Sequence, residues 1–360
     1  MSNDDQLVLV TGANGFVATH CIVELLRSGY RVRGTLRSSA QAAKVRNAVG
    51  TEANATRLSF AEADLNLDDG WTRATEGCTY VLHVASPVPR QVPKNADDVI
   101  LPARDGTLRV LKAATSSGVK RVVLTSSTAA VFYGRKRDGS EVYSEKDWSI
   151  LSEEVSAYDR SKTLAERAAW DYVRSLGPSQ RLELAVLNPG LVLGPLLMDN
   201  ASISGEVVGK LLKRELPGCP DLGFAPVDVR DLAAMEVKAM THPAAAGERF
   251  ILALEHASML EIAQILARHF GPQGINVPTR RVPSWLLKCV ALFDKTVAVA
   301  VPELGKRQDV SCARAREVLD FTPRSLERTV IDMGESMLKL GLVPTPKRKG
   351  RAPASATESA

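Results

Sequence analysis

Three side chains in this 360-residue sequence have the types and spacing to move a proton to or from an oxygen atom. Ser127 closes the triplet Thr125-Ser126-Ser127, and Tyr158 and Lys162 stand four residues apart in YDRSK. Residues i and i+4 of a helix project from one face, so the phenol and the ammonium can share a pocket. A phenol titrates near ~10 and is a poor acid or base at neutral pH unless its surroundings move that value. The neighbouring ammonium is expected to lower it by favouring the phenolate. A Tyr and a Lys at this spacing also occur on solvated helix faces, so the pair draws its meaning from the segments around it.

The helix itself is predicted from SAYDRSKTLAERAAWDYV, rich in Ala, Leu, Glu and Arg and without Pro or Gly. It should run to about Ser175, where Gly177 and Pro178 stop it. Near the N-terminus, QLVLVTGANGFVATHCIVELLRSG reads as an apolar strand over 7–10, a tight turn and an amphipathic helix. Gly12 and Gly15 let the backbone turn sharply and approach a pyrophosphate, and Ala18 lets the helix pack on the strand. The helix N-terminus offers free amides and a partial positive charge to phosphates.

The next strand, YRVRGTLRSS, leads into Arg37, where an NAD site would usually hold an acidic residue for the ribose hydroxyls. No Asp or Glu occurs between Gly29 and Gly50. A guanidinium can grip a 2′-phosphate with two parallel hydrogen bonds, and Arg33 and Lys44 stand by as helpers. NADPH is therefore expected over NADH. Other segments also end predicted strands at the carboxyl edge, where ligands bind in open α/β sheets. LSFAEA precedes Asp64-Leu65, TYVLHVASP runs from Thr79 to Pro87, and LELAVLNPGLVLGP holds Pro189 and Gly190.

These motifs make the chain resemble the extended short-chain dehydrogenase/reductase superfamily over about residues 7–343. Within it, the likeness is to the branch of dihydroflavonol reductases, cinnamoyl-CoA reductases and microbial aldehyde and ketone reductases. TGANGFVA, TLRSS, ADL, HVASP, LTSS, YDRSKTLAE, NPGLVLGP and VDVRDLA carry it. The resemblance implies an α/β fold, a doubly wound (Rossmann) parallel sheet with a smaller, discontinuous substrate lobe. It implies a hydrogen-bonding serine at Ser127, a proton donor at Tyr158 and a lysine at Lys162 that also holds the nicotinamide ribose. Ser126 becomes a structural or cofactor-side hydroxyl.

Cofactor-lining positions carried over are Gly12, Asn14, Gly15, Phe16 and Val17 in the first turn and helix, and Arg37 with Lys44 after the second strand. Asp64, Leu65, Ala85, Ser86 and Thr125 follow, then Pro189, Gly190 and Val192. Ser86, Pro87, Ser127, Phe132 and Tyr158 are expected to face the substrate. The implied reaction is the reversible, NADPH-dependent reduction of a ketone or aldehyde to an alcohol. Hydride passes to the carbonyl carbon, Tyr158 gives the oxygen a proton, and Ser127 orients that oxygen. A nucleotide-sugar epimerase or a hydroxysteroid dehydrogenase on the same scaffold is the alternative. A non-catalytic NADP-sensing regulator is the alternative of another class, although such proteins typically lose the tyrosine or lysine that this chain keeps.

Two positions depart from the family pattern. Ala103 stands three residues before Gly106-Thr107, where many superfamily members hold an Asn that organises a proton-relay water. Phe132, five residues after Ser127, replaces the polar side chain with which flavonoid reductases read substrate hydroxyls, which implies a less polar substrate.

Hydrophobic residues at 45% and charged residues at 24% are globular values, so a sizeable core is expected. No signal peptide or spanning helix is expected, and VALFDKTVAVAVP over 290–302 reads as a buried lobe helix. Five scattered cysteines without a CxxC suggest reduced thiols and a cytoplasmic location; no metal site is expected, and His83 is read as a satisfied structural histidine. The 344–360 tail carries a net +3 of the chain's +5, leaving a nearly balanced body, so neither a nucleic-acid nor a membrane partner is expected. Residues 1–190 and 223–253 are assigned to the Rossmann domain, 191–222 and 254–343 to the lobe, and 344–360 to a disordered basic tail. A homodimer paired through the Tyr158 helix and the one before it accords with the family.

Overall fold

All four residues of β1 (Leu7–Val10) are buried, because successive side chains leave opposite faces of a sheet covered on both. Val8 and Val10 join one apolar cluster with Cys21, Ile22 and Leu232, whereas Leu7 and Leu9 join another with Trp71, Val110 and Leu111. The computed structural model describes residues 3–87, 95–134, 142–152, 155–200, 203–293, 297, 300–307 and 309–344. Its further strands are β2 (Arg31–Leu36), β3 (Leu58–Glu62), β4 (Tyr80–His83), β5 (Arg121–Thr125), β6 (Glu183–Pro189), β7 (Leu191–Leu193), β8 (Gly223–Phe224), β9 (Pro226–Asp228), β10 (Arg249–Leu252) and β11 (Ala257–Ser258). The helices are α1 (Phe16–Arg27), α2 (Ala42–Gly50), α3 (Trp71–Thr75), α4 (Asp97–Ser116), α5 (Ala157–Ser175), α6 (Ile203–Leu212), α7 (Val229–Thr241), α8 (Met259–Phe270), α9 (Ser284–Ala291), α10 (Ala313–Leu319) and α11 (Leu326–Lys339).

Seven strands form one parallel sheet in the order β10-β6-β5-β4-β1-β2-β3. The order reverses direction between β1 and β4, and the crevice beyond their carboxyl ends is where an open α/β sheet receives its ligand. Helices α1, α2 and α7 pack on one face and α3, α4 and α5 on the other. Two small ribbons, β7 with β9 and β8 with β11, lead out of the sheet. Beyond them α6, α8 and α11 build a second core around Val208, Leu266, Phe270, Val330 and Met333.

Two expectations about the lobe are corrected. Cys312, Ala315, Leu319 and Phe321 pack in the core that holds Val8 and Phe250, so this stretch belongs to the Rossmann unit rather than the lobe. It is tied there because the Cys312 thiol bonds the Ala253 main chain just past β10, accepting from its N and donating to its O. The first residues of the 290–302 stretch are not a buried helix: α9 ends at Ala291, and Val290, Leu292 and Phe293 are exposed, the last at 91%, while 294–296 and 298–299 lie outside the described residues. Among the described residues no helix is long and apolar enough to cross a membrane. The tail from 345 onward lies outside the described residues.

Candidate active site

Helix α5 starts where Ser156 caps it, the serine hydroxyl accepting from the Asp159 amide at 3.1 Å. It runs to Ser175 as the sequence predicts, and Tyr158 and Lys162 lie one turn apart on it. The Ser127 hydroxyl comes close enough to the Tyr158 phenol to favour its phenolate form. Ser127 follows β5 and caps a short 3-10 turn, Thr128–Ala130, its Oγ accepting from the Ala129 amide at 3.1 Å. The sheet edge and the helix thus bring Ser127 to Tyr158.

The electrostatics differ from the sequence expectation. Burial pushes the Tyr158 phenol up to about 12, the charge of Asp159 acts in the same direction, and only the Ser127 hydroxyl opposes them. The ammonium does not bring the phenol down. Burial holds Lys162 at about 8, against the pull of the Glu166 carboxylate. Asp159 itself is pushed up to about 7, again chiefly by burial. Desolvation is the largest influence on all three groups and outweighs charge pairing here.

On the other side of the crevice, Gly12 has φ +67°, which glycine adopts freely, and a Cβ there would stand 2.9 Å from the Ala85 Cβ. The turn and the loop after β4 therefore converge. Thr11 binds them together: its Oγ1 accepts from the Val84 and Ala85 amides at 3.0 and 2.9 Å, leaving its proton for His83 Nδ1 at 2.9 Å. His83 is held neutral, at about 3, by burial and by Lys162. The first amides of α1, at Phe16 and Val17, have no intrahelical acceptor and open toward the crevice end. Asn14 lies beside them, its carbonyl accepting from Asn200 Nδ2 at 3.1 Å. Arg37, one residue past β2, is exposed and makes no ion pair among the described residues, and Lys44 is exposed in the first turn of α2. A free guanidinium beyond β2, a glycine turn and open helix amides fit a phosphorylated dinucleotide.

Other expected residues are placed with different roles. The Arg33 guanidinium donates to the carbonyls of Arg73, Ala74 and Glu76 at the end of α3, so it is no helper to Arg37. The Thr125 hydroxyl donates to Glu236 Oε1 at 2.5 Å in the core, which removes its side chain from any cofactor contact. Phe132 is 1% exposed and packs against Tyr133 and Tyr143; the turn after Ser127 redirects it into the core, so it does not face substrate and says nothing of substrate polarity. The Phe16 ring is buried among lobe residues, leaving its amide for a ligand. The Asp64 carboxylate accepts from the Asn66 amide and side chain at 2.9 and 3.0 Å, and Leu65 packs over Gly106. Ser86 and Pro87 are half-buried after Ala85. Pro189 ends β6, the Gly190 amide donates to Leu252 O at 3.0 Å, and Val192 pairs with Val227.

A cavity of about 300 Å³ lies elsewhere, lined by Asp221, Gly223, His256, Glu261, Lys306 and Arg307. Lys306 is paired with Glu303 and Arg307 with Asp309. None of the chemistry-bearing residues reaches it, so the reaction is assigned to the Ser127–Tyr158 contact. Sequence reasoning missed Thr11, Asn188, Glu166 and Arg249. Glu166 alone gave a signal, four residues after Lys162 on the same helical face.

A reversing parallel sheet with a glycine turn at its switch point and a Ser–Tyr contact beside it defines a dinucleotide-binding protein of the oxidoreductase type. The sequence matches the NAD dependent epimerase/dehydratase family over residues 8–253, and the chain belongs to that family. It is 36% identical over 359 residues to cinnamoyl-CoA reductase 1 of Oryza sativa subsp. japonica, covering 96% of both chains. It is 30% identical to an NADPH-dependent methylglyoxal reductase of Saccharomyces cerevisiae, covering 92% of this chain and 98% of the relative. The crystal structure of a yeast methylglyoxal/isovaleraldehyde reductase complexed with NADPH superposes with a TM-score of 0.77 at 26% identity, covering 93% of this chain and 99% of the other.

Proposed function

We propose that the protein is an NADPH-dependent reductase of ketones or aldehydes. The approach of the Ser127 hydroxyl to the Tyr158 phenol carries this reading, supported by relatives that are reductases of carbonyl compounds. NADPH, when bound, supplies the hydride. Arg37 and Lys44 would hold its 2′-phosphate, the turn from Gly12 to Val17 its pyrophosphate, and Lys162 its nicotinamide ribose. Ser127 fixes the carbonyl oxygen of the substrate. Tyr158, protonated at neutral pH because burial keeps its pKa at about 12, donates the proton that makes the alcohol. Location in the cytoplasm and pairing of two copies through α4 and α5 complete the proposal; the mass in solution tests the pairing.

The reading is tested by following NADPH and NADH oxidation with aryl and alkyl ketones, aldehydes, dihydroflavonols and cinnamoyl thioesters. Tyr158→Phe keeps the ring and removes the proton; turnover should fall at least ~100-fold with an unchanged melting temperature. Turnover near that of the wild type would sink the assignment.

A further inference from the structure

Beside the hydroxyl triplet lies a polar cluster that the reaction as described does not use. Its centre is Glu166, fully buried on α5, the helix that carries Tyr158 and Lys162. The carboxylate accepts from Ser126 Oγ at 2.5 Å, Asn188 Nδ2 at 2.7 Å, Arg249 Nε at 2.5 Å and Trp170 Nε1 at 3.3 Å. These donors come from the end of β5, from β6, from β10 and from α5 itself. Asn188, also fully buried, gives the same amide nitrogen to the Ser127 carbonyl at 3.1 Å. Arg249 supplies the counter-charge; its guanidinium lies 3.9 Å over the Trp148 ring and donates to the carbonyls of Glu145 and Asp147.

We propose that Glu166 and Asn188 are positioning residues for the reduction, holding Ser127 in register with Tyr158. The inference rests on the proposed role of the Ser127–Tyr158 pair. The two sides of that pair belong to different elements, a strand end and a helix, whose relative height a purely apolar contact would fix only loosely. One carboxylate on the helix grips the residue before Ser127 directly and the Ser127 main chain through Asn188. A helix slide of a fraction of an ångström would therefore stretch charge-assisted hydrogen bonds among buried groups, where such bonds are strongest. A misplacement of about 1 Å between reacting groups costs on the order of a hundredfold in rate, so this tie acts on the chemical step. Asn188 bonds Glu166 and the Ser127 carbonyl, so its loss is read on the chemical step, whereas Glu166 also acts on the Lys162 charge.

The test uses the full chain with NADPH and whichever carbonyl substrate the wild type reduces. Asn188→Ala removes the link to the Ser127 carbonyl and leaves the Glu166–Arg249 pair intact. It should lower kcat on the order of tenfold or more while the KM for NADPH stays within about twofold. In a Ser127→Ala background the same change should cost little further, since the group it positions is already gone. An undiminished kcat, or a loss that adds fully to that of Ser127→Ala, overturns the inference. Should Asn188→Ala not fold, Ser126→Ala removes a single hydroxyl from the same carboxylate and is read by the same two criteria. Tyr158→Phe is run in parallel: an active Tyr158→Phe refutes the proposed reaction, whereas an inactive Tyr158→Phe beside a fully active Asn188→Ala refutes the positioning alone.

Discussion

Replacing Arg37 with aspartate should turn the cofactor preference, and the structure sets the size of the effect. Arg37 stands just past β2 with its guanidinium exposed and engaged by no carboxylate among the described residues, so nothing must be broken before it meets a phosphate. A hydrogen bond between charged partners is worth about 1.5–3 kcal/mol net at such a site. Arg33 cannot compensate, because three carbonyls at the end of α3 hold it. Lys44 can do so only in part, as a flexible point charge on an exposed turn. Loss of the guanidinium together with like-charge repulsion should lower kcat/KM for NADPH about 100-fold, mainly through KM. NADH should be used as well as before or better, since an aspartate can accept from the ribose hydroxyls. Steady-state kinetics with both cofactors measure this, and a repeat at ~1 M salt should narrow the wild-type preference, because charges beyond about 3 Å are then screened. An unchanged NADPH-to-NADH ratio in Arg37→Asp would refute the reasoning.

With Tyr158 held at about 12, the phenol is protonated throughout the neutral range. Alcohol oxidation needs the phenolate, so its kcat/KM should climb steeply from pH 7 to 9 while that of carbonyl reduction does not; parallel slopes in the two directions would count against Tyr158 as the proton carrier. Stability should also depend on pH. A carboxyl raised in the folded state stabilises below its unfolded value and loses that contribution as pH rises through the folded one. Glu236, raised to about 8, and Asp159, raised to about 7, should make the melting temperature fall between pH 6.5 and 8. That window lies above the range in which His20 and His83, lowered from 6.5, act in the opposite sense. Glu236→Gln should flatten the fall, and an identical slope would exclude Glu236 as its source. Finally, a Cβ at Gly190 would overlap the Ala225 carbonyl oxygen, so Gly190→Ala should destabilise the protein by about 3 kcal/mol in denaturant melts. Wild-type stability would show that the β6 to β7 corner can move aside.

The order of strands and helices up to β6, the extent of α5 and the meeting of Ser127 with Tyr158 were legible because each rests on local signals. Apolar runs of strand length, a glycine turn and an i, i+4 pair on a proline-free helix need no knowledge of distant partners. Thr125 was not legible. Neighbouring hydroxyls at a strand end leave opposite faces, and Thr125 finds its acceptor 111 residues away on α7 while Ser126 finds one 40 residues away on α5. Phe132 was misplaced because counting five residues from Ser127 ignores the 3-10 turn between them. The stretch around Ala315 was given to the lobe by continuity, yet β10 lies at the edge of the sheet, and α10 is what buries it.

Several buried polar side chains of the sheet share a position. Thr11 with His83, Thr125 with Glu236, and Ser126 and Asn188 with Glu166 all sit at or just beyond the carboxyl ends of β1, β4, β5 and β6. A buried polar group is costly unless it is hydrogen-bonded, and apolar residues would fill these places more cheaply. Directional bonds, however, fix where a strand end stops, which dispersion contacts do only weakly. The sheet edge beneath the crevice is thus set by hydrogen bonds, and the lobe is joined to it by short ribbons, by apolar packing and by the buried ties of Arg230 to Asp332 and of Asp228 to Thr329. We propose that the chemistry belongs to this edge and the choice of substrate to the lobe. Changes in α6 should then shift KM among carbonyl substrates while the Ser127–Tyr158 contact, and with it the pH dependence of turnover, stays as it is.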